Sequence, residues 1–419
     1  MTRLRPRFHV ALGALGLLAA VSAAAQTWSA PVTIGRTSEG RPSLSMAANG
    51  QATVAFGYTG NSGTASGLVY AGSVAGPQPW TPAALLLNAD AYRPGVAQDL
   101  SGAAYVVAGA GQWDNYASAT VGCLRAVGGA WSCGTLAVSG AVPLTPAVQF
   151  YGRSTTQANT AAFVWAQKCS VIASSSPPAA NEYQVLTGTG ECVRAMSYAL
   201  DLDGTGVAVY GTKAGDIAYA RRRVVAGVPQ WSARVKLVSA NTAAAGFAAA
   251  TANDGSSTLA WAIGKAGTKT IQVWTAAVAA DGTLGAPVQL AANACDTGVA
   301  ATVLDAGDVV VAWGGTAGTH CEAAWASRAA GTGTFSATHL ASSGARVKGI
   351  AAAHSAAGAV VLAWNDASRG ASAAVGGLSG FATPVVLGSA GTVSLAAGGG
   401  YVNAAWCATQ CWASTLALP

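Results

Sequence analysis

Gly307-Asp308-Val309-Val310-Val311-Ala312-Trp313 and, fifty-one residues later, Gly358-Ala359-Val360-Val361-Leu362-Ala363-Trp364 share one pattern: a glycine, alternating small or branched residues, and an aromatic six positions on. The pattern runs along the chain. It reads GQATVAF at Gly50–Phe56, GAAYVVA at Gly102–Ala108, NTAAFVW at Asn159–Trp165, GTGVAVY at Gly204–Tyr210, GSSTLAW at Gly255–Trp261 and GYVNAAW at Gly400–Trp406. Spacings of 52, 57, 45, 51, 52, 51 and 42 residues suit repeated units of four short strands, as in a β-propeller. Within each copy the second, fourth and sixth positions are mostly apolar, the period-two signature of a strand with one buried face. The opening Gly or Asn supplies a turn conformation that other residues adopt only with strain.

A second mark recurs downstream of six of the copies: a turn, an aromatic or Leu, then a short strand, at Trp80, Trp131, Trp231, Leu284, Phe335 and Phe381. These predict the fourth, outermost strands. Trp28-Ser29-Ala30-Pro31-Val32-Thr33-Ile34 is another such mark with no unit before it, whereas Val393–Leu418 has room for only three strands. The N-terminal strand is therefore predicted to complete the C-terminal unit, which hides the edges of a closed ring. The expectation is an all-β chain forming a single propeller of eight four-stranded blades over residues 26–419, or of seven if the irregular third repeat is not a full blade.

The chain of 419 residues is 52% hydrophobic but 9% charged, with 53 glycines, against about 25% charged in an average domain. This excludes a coiled coil, a charged disordered tail and a nucleic-acid binder dependent on dense Lys and Arg. Arg3, Arg5 and Arg7 precede an apolar stretch from Val10 to Val21 and then Ser22-Ala23-Ala24-Ala25-Gln26, the layout of a signal peptide cleaved after Ala25. Without residues 1–25 the formal charge of +6 falls to +3. Residue 26 is Gln, so the usual lipid-bearing cysteine is missing, and no later apolar run reaches the ~20 residues of a membrane helix. A secreted or periplasmic monomer is expected, without a transmembrane segment.

Eight cysteines in an exported chain predict disulfides. The blade layout pairs Cys123 with Cys133, Cys169 with Cys192, Cys295 with Cys321 and Cys407 with Cys411, all local. No C-x₂-C pair or structural zinc spacing exists, so no metal is expected.

At the fourth-strand turns the chain resembles the sialidase-like propellers of secreted bacterial type, whose neuraminidase (BNR) repeats carry the Asp-box S-x-D-x-G-x-x-W. Gly76…Trp80, Gly227…Trp231 and Asp281-Gly282-Thr283-Leu284 keep the glycine and the aromatic or apolar residue, but the Ser is missing throughout and the Asp everywhere except Asp281. The resemblance implies a propeller and, for the sialidases themselves, an Arg triad for a substrate carboxylate, a Tyr–Glu nucleophile pair and an Asp acid/base. Arg41-Pro42 is a shortened echo of the early arginine motif of that group.

The acids divide into two sets. Asp99, Asp201, Asp203, Asp254, Asp281, Asp305 and Asp308 fall at strand turns and read as turn residues. Asp201-Leu202-Asp203-Gly204 lacks the further oxygens of an EF-hand. Glu39, Asp90, Asp114, Glu191, Asp216, Asp296, Glu322 and Asp366 belong to the opposite loops, around the mouth of the predicted channel. Any glycosidase carboxylate pair would come from these.

Arg41, Arg93 and Arg194 precede their turn glycines by 9, 9 and 10 residues. A convergent trio would grip an acidic sugar or peptide terminus; alternatively each pairs with Glu39, Asp90 or Glu191. In Gln112-Trp113-Asp114-Asn115-Tyr116 the aromatics suit stacking on a sugar and Asp114 its hydroxyls, unless Trp113 replaces the packing that Ala108 lacks. Trp165, Trp261, Trp313, Trp364 and Trp406 recur at one strand position and read as core.

His320, His339 and His354 form no metal motif, and no nucleophile elbow, Walker loop or dinucleotide fingerprint appears. Arg221-Arg222-Arg223 is expected to alternate faces on an exposed third strand. The expected function is noncatalytic binding of a carbohydrate or extracellular protein on the loop face, without a cofactor. A sialidase-like glycoside hydrolase is the alternative and a structural surface role the third.

Overall fold

The computed structural model describes residues 27–38, 40–59, 67–88, 91–110, 118–139, 144–153, 159–167, 170–176, 184–188, 191–238, 243–264, 270–342, 344 and 346–418. Among them every regular element is a β-strand. Each sequence repeat builds one antiparallel meander. The first is Ser43–Met46, Gln51–Thr59, Gly67–Ala75 and Ala84–Asn88; the second is Ala91–Gln98, Ala104–Ala110, Ser118–Arg125 and Trp131–Ser139. The irregular third repeat also forms its own four-stranded sheet, Leu144–Tyr151, Thr160–Gln167, Ser170–Ser176 and Gln184–Val185. The fourth runs from Val193–Leu200 through Gly206–Thr212 and Ile217–Val225 to Val228–Trp231.

The next two repeats share one seven-stranded sheet because Val288–Val303 is a single long strand. Its first part pairs with Ile271–Val278 and its second with Val309–Ala317, with a jump in register between Ala294 and Val299. A further sheet begins at Val347–His354. The last is Thr392–Gly398, Tyr401–Cys407, Gln410–Ala417 and then Val32–Arg36 from the other end of the chain.

That final pairing follows the sequence expectation. Val32 lies opposite Ala413, Gly35 opposite Cys411, and Trp28 extends the contact to Leu416. Ile34 drops into a core with Val54, Phe56, Trp80, Ala405 and Cys407. The innermost strands touch in chain order, and Thr392–Gly398 contacts Ser43–Met46 again.

The second strand of each unit is more deeply covered than one-faced alternation predicts. Ala104–Ala110 and Gly206–Thr212 are buried at every residue. The reason is that such a strand lies between two neighbouring sheets. Val309, Val311 and Trp313 pack toward the preceding unit, while Val310 and Ala312 pack toward the following one. The repeated aromatics all take the first direction: Trp364 meets Trp325 and Val310 of the unit before it, and Trp406 meets Val361 and Ala363. Trp165, Trp261, Trp313, Trp364 and Trp406 are all at most 1% exposed, the structural role that their recurrence predicts. Small Ala and Gly side chains opposite them let the sheets approach.

Hydroxyl side chains stitch neighbouring innermost strands together. Ser43 Oγ accepts from Val96 N at 3.0 Å, Ser45 Oγ from Gln98 N at 2.8 Å and Ser197 Oγ from Ala249 N at 3.1 Å. They satisfy backbone donors on strand edges that would otherwise face the central space.

Cys123–Cys133, Cys295–Cys321 and Cys407–Cys411 are disulfides. The first and last close directly opposed residues of a hairpin. Cys192 is also disulfide-bonded, and its expected partner Cys169 lies outside the described residues. No helix among the described residues is long and apolar enough to cross a membrane.

Candidate ligand-binding site

Three successive innermost strands begin at the same end of the molecule, and a cavity of about 320 Å³ opens where they start. Arg41 and Pro42 lead into the first, which adds Ser43 and Leu44, while Arg93 to Val96 come from the second and Ala147, Val148 and Gln149 from the third. Leu44, Val96 and Val148 are buried beneath it. The Ser43–Val96 bond ties two of its walls together.

The backbone places Arg93 there by an irregularity. Register slips between Tyr92 and Gly95, and Arg93 adopts φ 51°, a left-handed conformation that costs a non-glycine residue roughly 1–2 kcal/mol. Pro94 restricts the residue before it further. Strain at one position lining a cavity is the pattern of a residue held for a purpose. Arg41 is exposed and Arg93 half-buried. Among the described residues the lining holds two guanidinium groups and no carboxylate, a charge that favours an anionic ligand, with the Ser and Gln side chains suited to hydroxyl groups.

The structure thus brings together Arg41 and Arg93 of the expected trio. Arg194 is exposed and is not among the residues lining this cavity. Trp113, Asp114 and Tyr116 lie outside the described residues, as do Glu39 and Asp90. Pro94 and Gln149 have no place in the sequence reading, and Pro42 enters it only beside Arg41. A signal was present for two of them: the dipeptide Arg-Pro occurs at 41–42 and again at 93–94, with the same 52-residue interval that separates Gly50 from Gly102.

Several acids expected near the channel mouth are committed elsewhere. Glu191 binds Arg234, not Arg194, and accepts from Gly188 N. Asp216 pairs with Lys236 at 2.8 Å, and buried Glu322 accepts from Ser342 Oγ at 2.7 Å. For Asp366, burial pushes the carboxyl pKa up, but hydrogen bonds from Ser368 and the Arg346 and Arg369 amides bring it below its usual value. The turn acids behave as expected from sequence. Asp99 Oδ1 accepts from Ser101 N and Ala103 N, Asp201 from Asp203 N and Thr205 N, and Asp254 from Ser256 N. No group of three or more potential metal ligands occurs among the described residues.

The basic run departs from its expected exposure. Its faces do alternate, but Arg221 is 4% and Arg222 0% exposed. Arg222 lies over the Tyr151 ring of the preceding unit at 4.4 Å and donates to Gly204 O in a turn of its own. Arg221 donates to Ala280 O of the following one.

No protein-family model matches the chain, and no curated protein matches it. Among solved structures it is similar to the BP39L lectin from Burkholderia pseudomallei, at 13% identity and a TM-score of 0.56, over 85% of this chain and 100% of the lectin. The α-L-arabinofuranosidase Arb93A from Fusarium graminearum matches at 9% identity and a TM-score of 0.47, over 93% of this chain and 98% of that one. The polysaccharide lyase Uly1 matches at 10% and 0.45, over 76% and 88%. The last two scores carry no argument. The first shows the fold: an all-β chain of the β-propeller type, built from repeated small sheets.

Proposed function

We propose that the chain is an exported eight-bladed propeller that binds a negatively charged carbohydrate, without catalysis, in the cavity between Arg41 and Arg93. The carrying observation is that cavity: guanidinium groups at the start of two successive innermost strands, one of them held in a strained backbone conformation, with no acid among the described lining residues. The blade number is supported by the cyclic contacts of the innermost strands, counting the seven-stranded sheet as two units joined through Val288–Val303. The fold shared with a lectin supports the ligand class. Export is supported by the layout of Met1–Ala25, taken as a signal peptide, and by disulfides that suit an oxidising compartment. Only two of three expected arginines line the cavity, which favours binding over a sialidase-like reaction.

The test is a glycan-array screen followed by calorimetry on the best acidic glycan. Arg41→Gln and Arg93→Gln should each weaken binding about tenfold, the loss of one charged hydrogen bond of ~1.5 kcal/mol. A fluorogenic sialoside should remain uncleaved. Binding that ignores both substitutions removes the site, and turnover of the sialoside removes the noncatalytic reading.

A further inference from the structure

On the third strand of the fourth sheet, Tyr219, Arg221 and Arg223 alternate onto one face, toward the unit that follows. The turn Asp281-Gly282 of that unit crosses in front of them, leaving a cavity of about 430 Å³ that Gln230 and Ser232 also line. It lies at the end of the molecule carrying the first-to-second and third-to-fourth strand turns, opposite the Arg41–Arg93 cavity.

Two guanidinium groups meet there. A side chain at Gly282, whose φ is 99°, would place its Cβ 2.6 Å from both Arg221 Nη1 and Arg223 Nη2, so the two nitrogens lie within twice that distance of each other. Arg221 is 4% exposed. It donates through Nη2 to Ala280 O, while its buried Nε and Nη1 have no hydrogen-bond partner among the described residues. Burial first, and the neighbouring charge of Arg223 second, hold the Arg221 pKa below its usual value. The one acid in the lining does not resolve this. Asp281 accepts from Thr283 N at 2.7 Å, and no ion pair joins it to either arginine among the described residues. Two cations face one turn-bound carboxylate, and a buried guanidinium with open donors is costly unless an acceptor reaches it.

We propose that this inter-sheet cavity is a second binding site, for a small oxyanion carried as a sulfate or carboxylate substituent. The oxyanion accepts from the open Arg221 donors and from Arg223, with Gln230 beside it for an attached hydroxyl. The site does not depend on the function assigned to the first cavity.

Inorganic sulfate is titrated calorimetrically into the Arg41→Gln/Arg93→Gln double variant, against sodium chloride at equal ionic strength. That background removes the other arginine cavity, so failure at one site is read separately from failure at the other. One saturable sulfate per chain is expected. Adding Arg223→Gln should weaken it at least fivefold, whereas adding Asp281→Asn, which removes a negative charge and keeps the Thr283 bond, should tighten it twofold to fivefold. Both positions are exposed, so these variants fold even if Arg221→Gln does not. Glucuronate and glucose 6-sulfate, with glucose as the neutral control, distinguish a carboxylate source from a sulfate source. Absence of saturable sulfate binding, or affinities that ignore both added substitutions, overturns the proposal and leaves Arg221 and Arg223 as a pin between two sheets.

Discussion

Replacing Ile34 by Ala tests how much the N-terminal strand contributes to the stability of the whole chain. Ile34 is 2% exposed, and its neighbours come from both ends of the sequence: Val54 and Phe56 on one side, Ala405, Cys407 and Ala413 on the other. The substitution deletes three buried carbons, worth ~2.4 kcal/mol at ~0.8 kcal/mol each. The residual cavity adds to this, because the strands around it, Gln51–Thr59, Tyr401–Cys407 and Gln410–Ala417, are paired on both sides and collapse poorly, giving about 3–4 kcal/mol within the range for such truncations. The core indoles make unfolding visible by tryptophan fluorescence. With a urea slope of ~3 to 4 kcal/mol/M for a chain this long, the midpoint should fall by about 1 M. Thr33→Ala, on the exposed side of the same strand, should stay within ~0.5 kcal/mol of the parent. Gly35→Ala supplies the opposite error: its Cβ would sit 2.6 Å from Phe56 Cζ, and overpacking costs about 1–3 kcal/mol. If Ile34→Ala moves the midpoint no more than Thr33→Ala, Val32–Arg36 is not an integral strand and the closure argument fails.

Other outcomes can be checked on the same preparations. Replacing Cys295 and Cys321 together by Ser opens a loop with a sequence separation of 26 and should cost roughly 3 kcal/mol by loop entropy, read as a lower urea midpoint; the Cys407–Cys411 pair, separated by 4, should cost less. His354 contacts Thr302 Oγ1 through Nδ1 at 2.7 Å, and burial holds its pKa below 6.5, partly opposed by Asp305. The unfolded chain therefore takes up this proton before the folded one does, so stability is kept above pH 6.5 and falls as pH drops through and below it. His354→Gln should flatten that part of a urea-midpoint profile between pH 7 and 5, and an unchanged slope would contradict the assignment.

Features repeated along the chain were the ones open to a reader of the sequence. Trp313, Trp364 and Trp406 announce themselves because each unit needs the same large residue against its predecessor, and an isolated fourth-strand motif at Trp28 could only belong to the unit that lacked one. Three of the four cysteine pairs follow from the strand layout: Cys123–Cys133, Cys295–Cys321 and Cys407–Cys411. Two-sided burial of the second strands was harder to see, since Ala and Val serve equally on a covered face and a half-covered one. Individual positions escaped the pattern further. Arg194 stands at nearly the same offset as Arg41 and Arg93, yet the cavity is built by the neighbours of those two, and an offset within a repeat does not specify its surroundings. Arg221 and Arg222 read as exposed because what accommodates them, Gly282 in the next unit and Tyr151 with Gly204 nearby, lies far away along the chain or in a turn whose approach no local signal records.

Pairing of Val32–Arg36 with Gln410–Ala417 has a consequence for biogenesis. Val32–Arg36 is synthesised long before Gln410–Ala417 and waits without this partner until it has been made, and throughout that interval the open edges of both units can recruit other chains. The nascent polypeptide would therefore need protection until this C-terminal hairpin has been made. Once Trp28 has met Leu416, the two ends of the described chain lie side by side, so a linker could join them and new termini could be opened at an exposed turn elsewhere in a circular permutant.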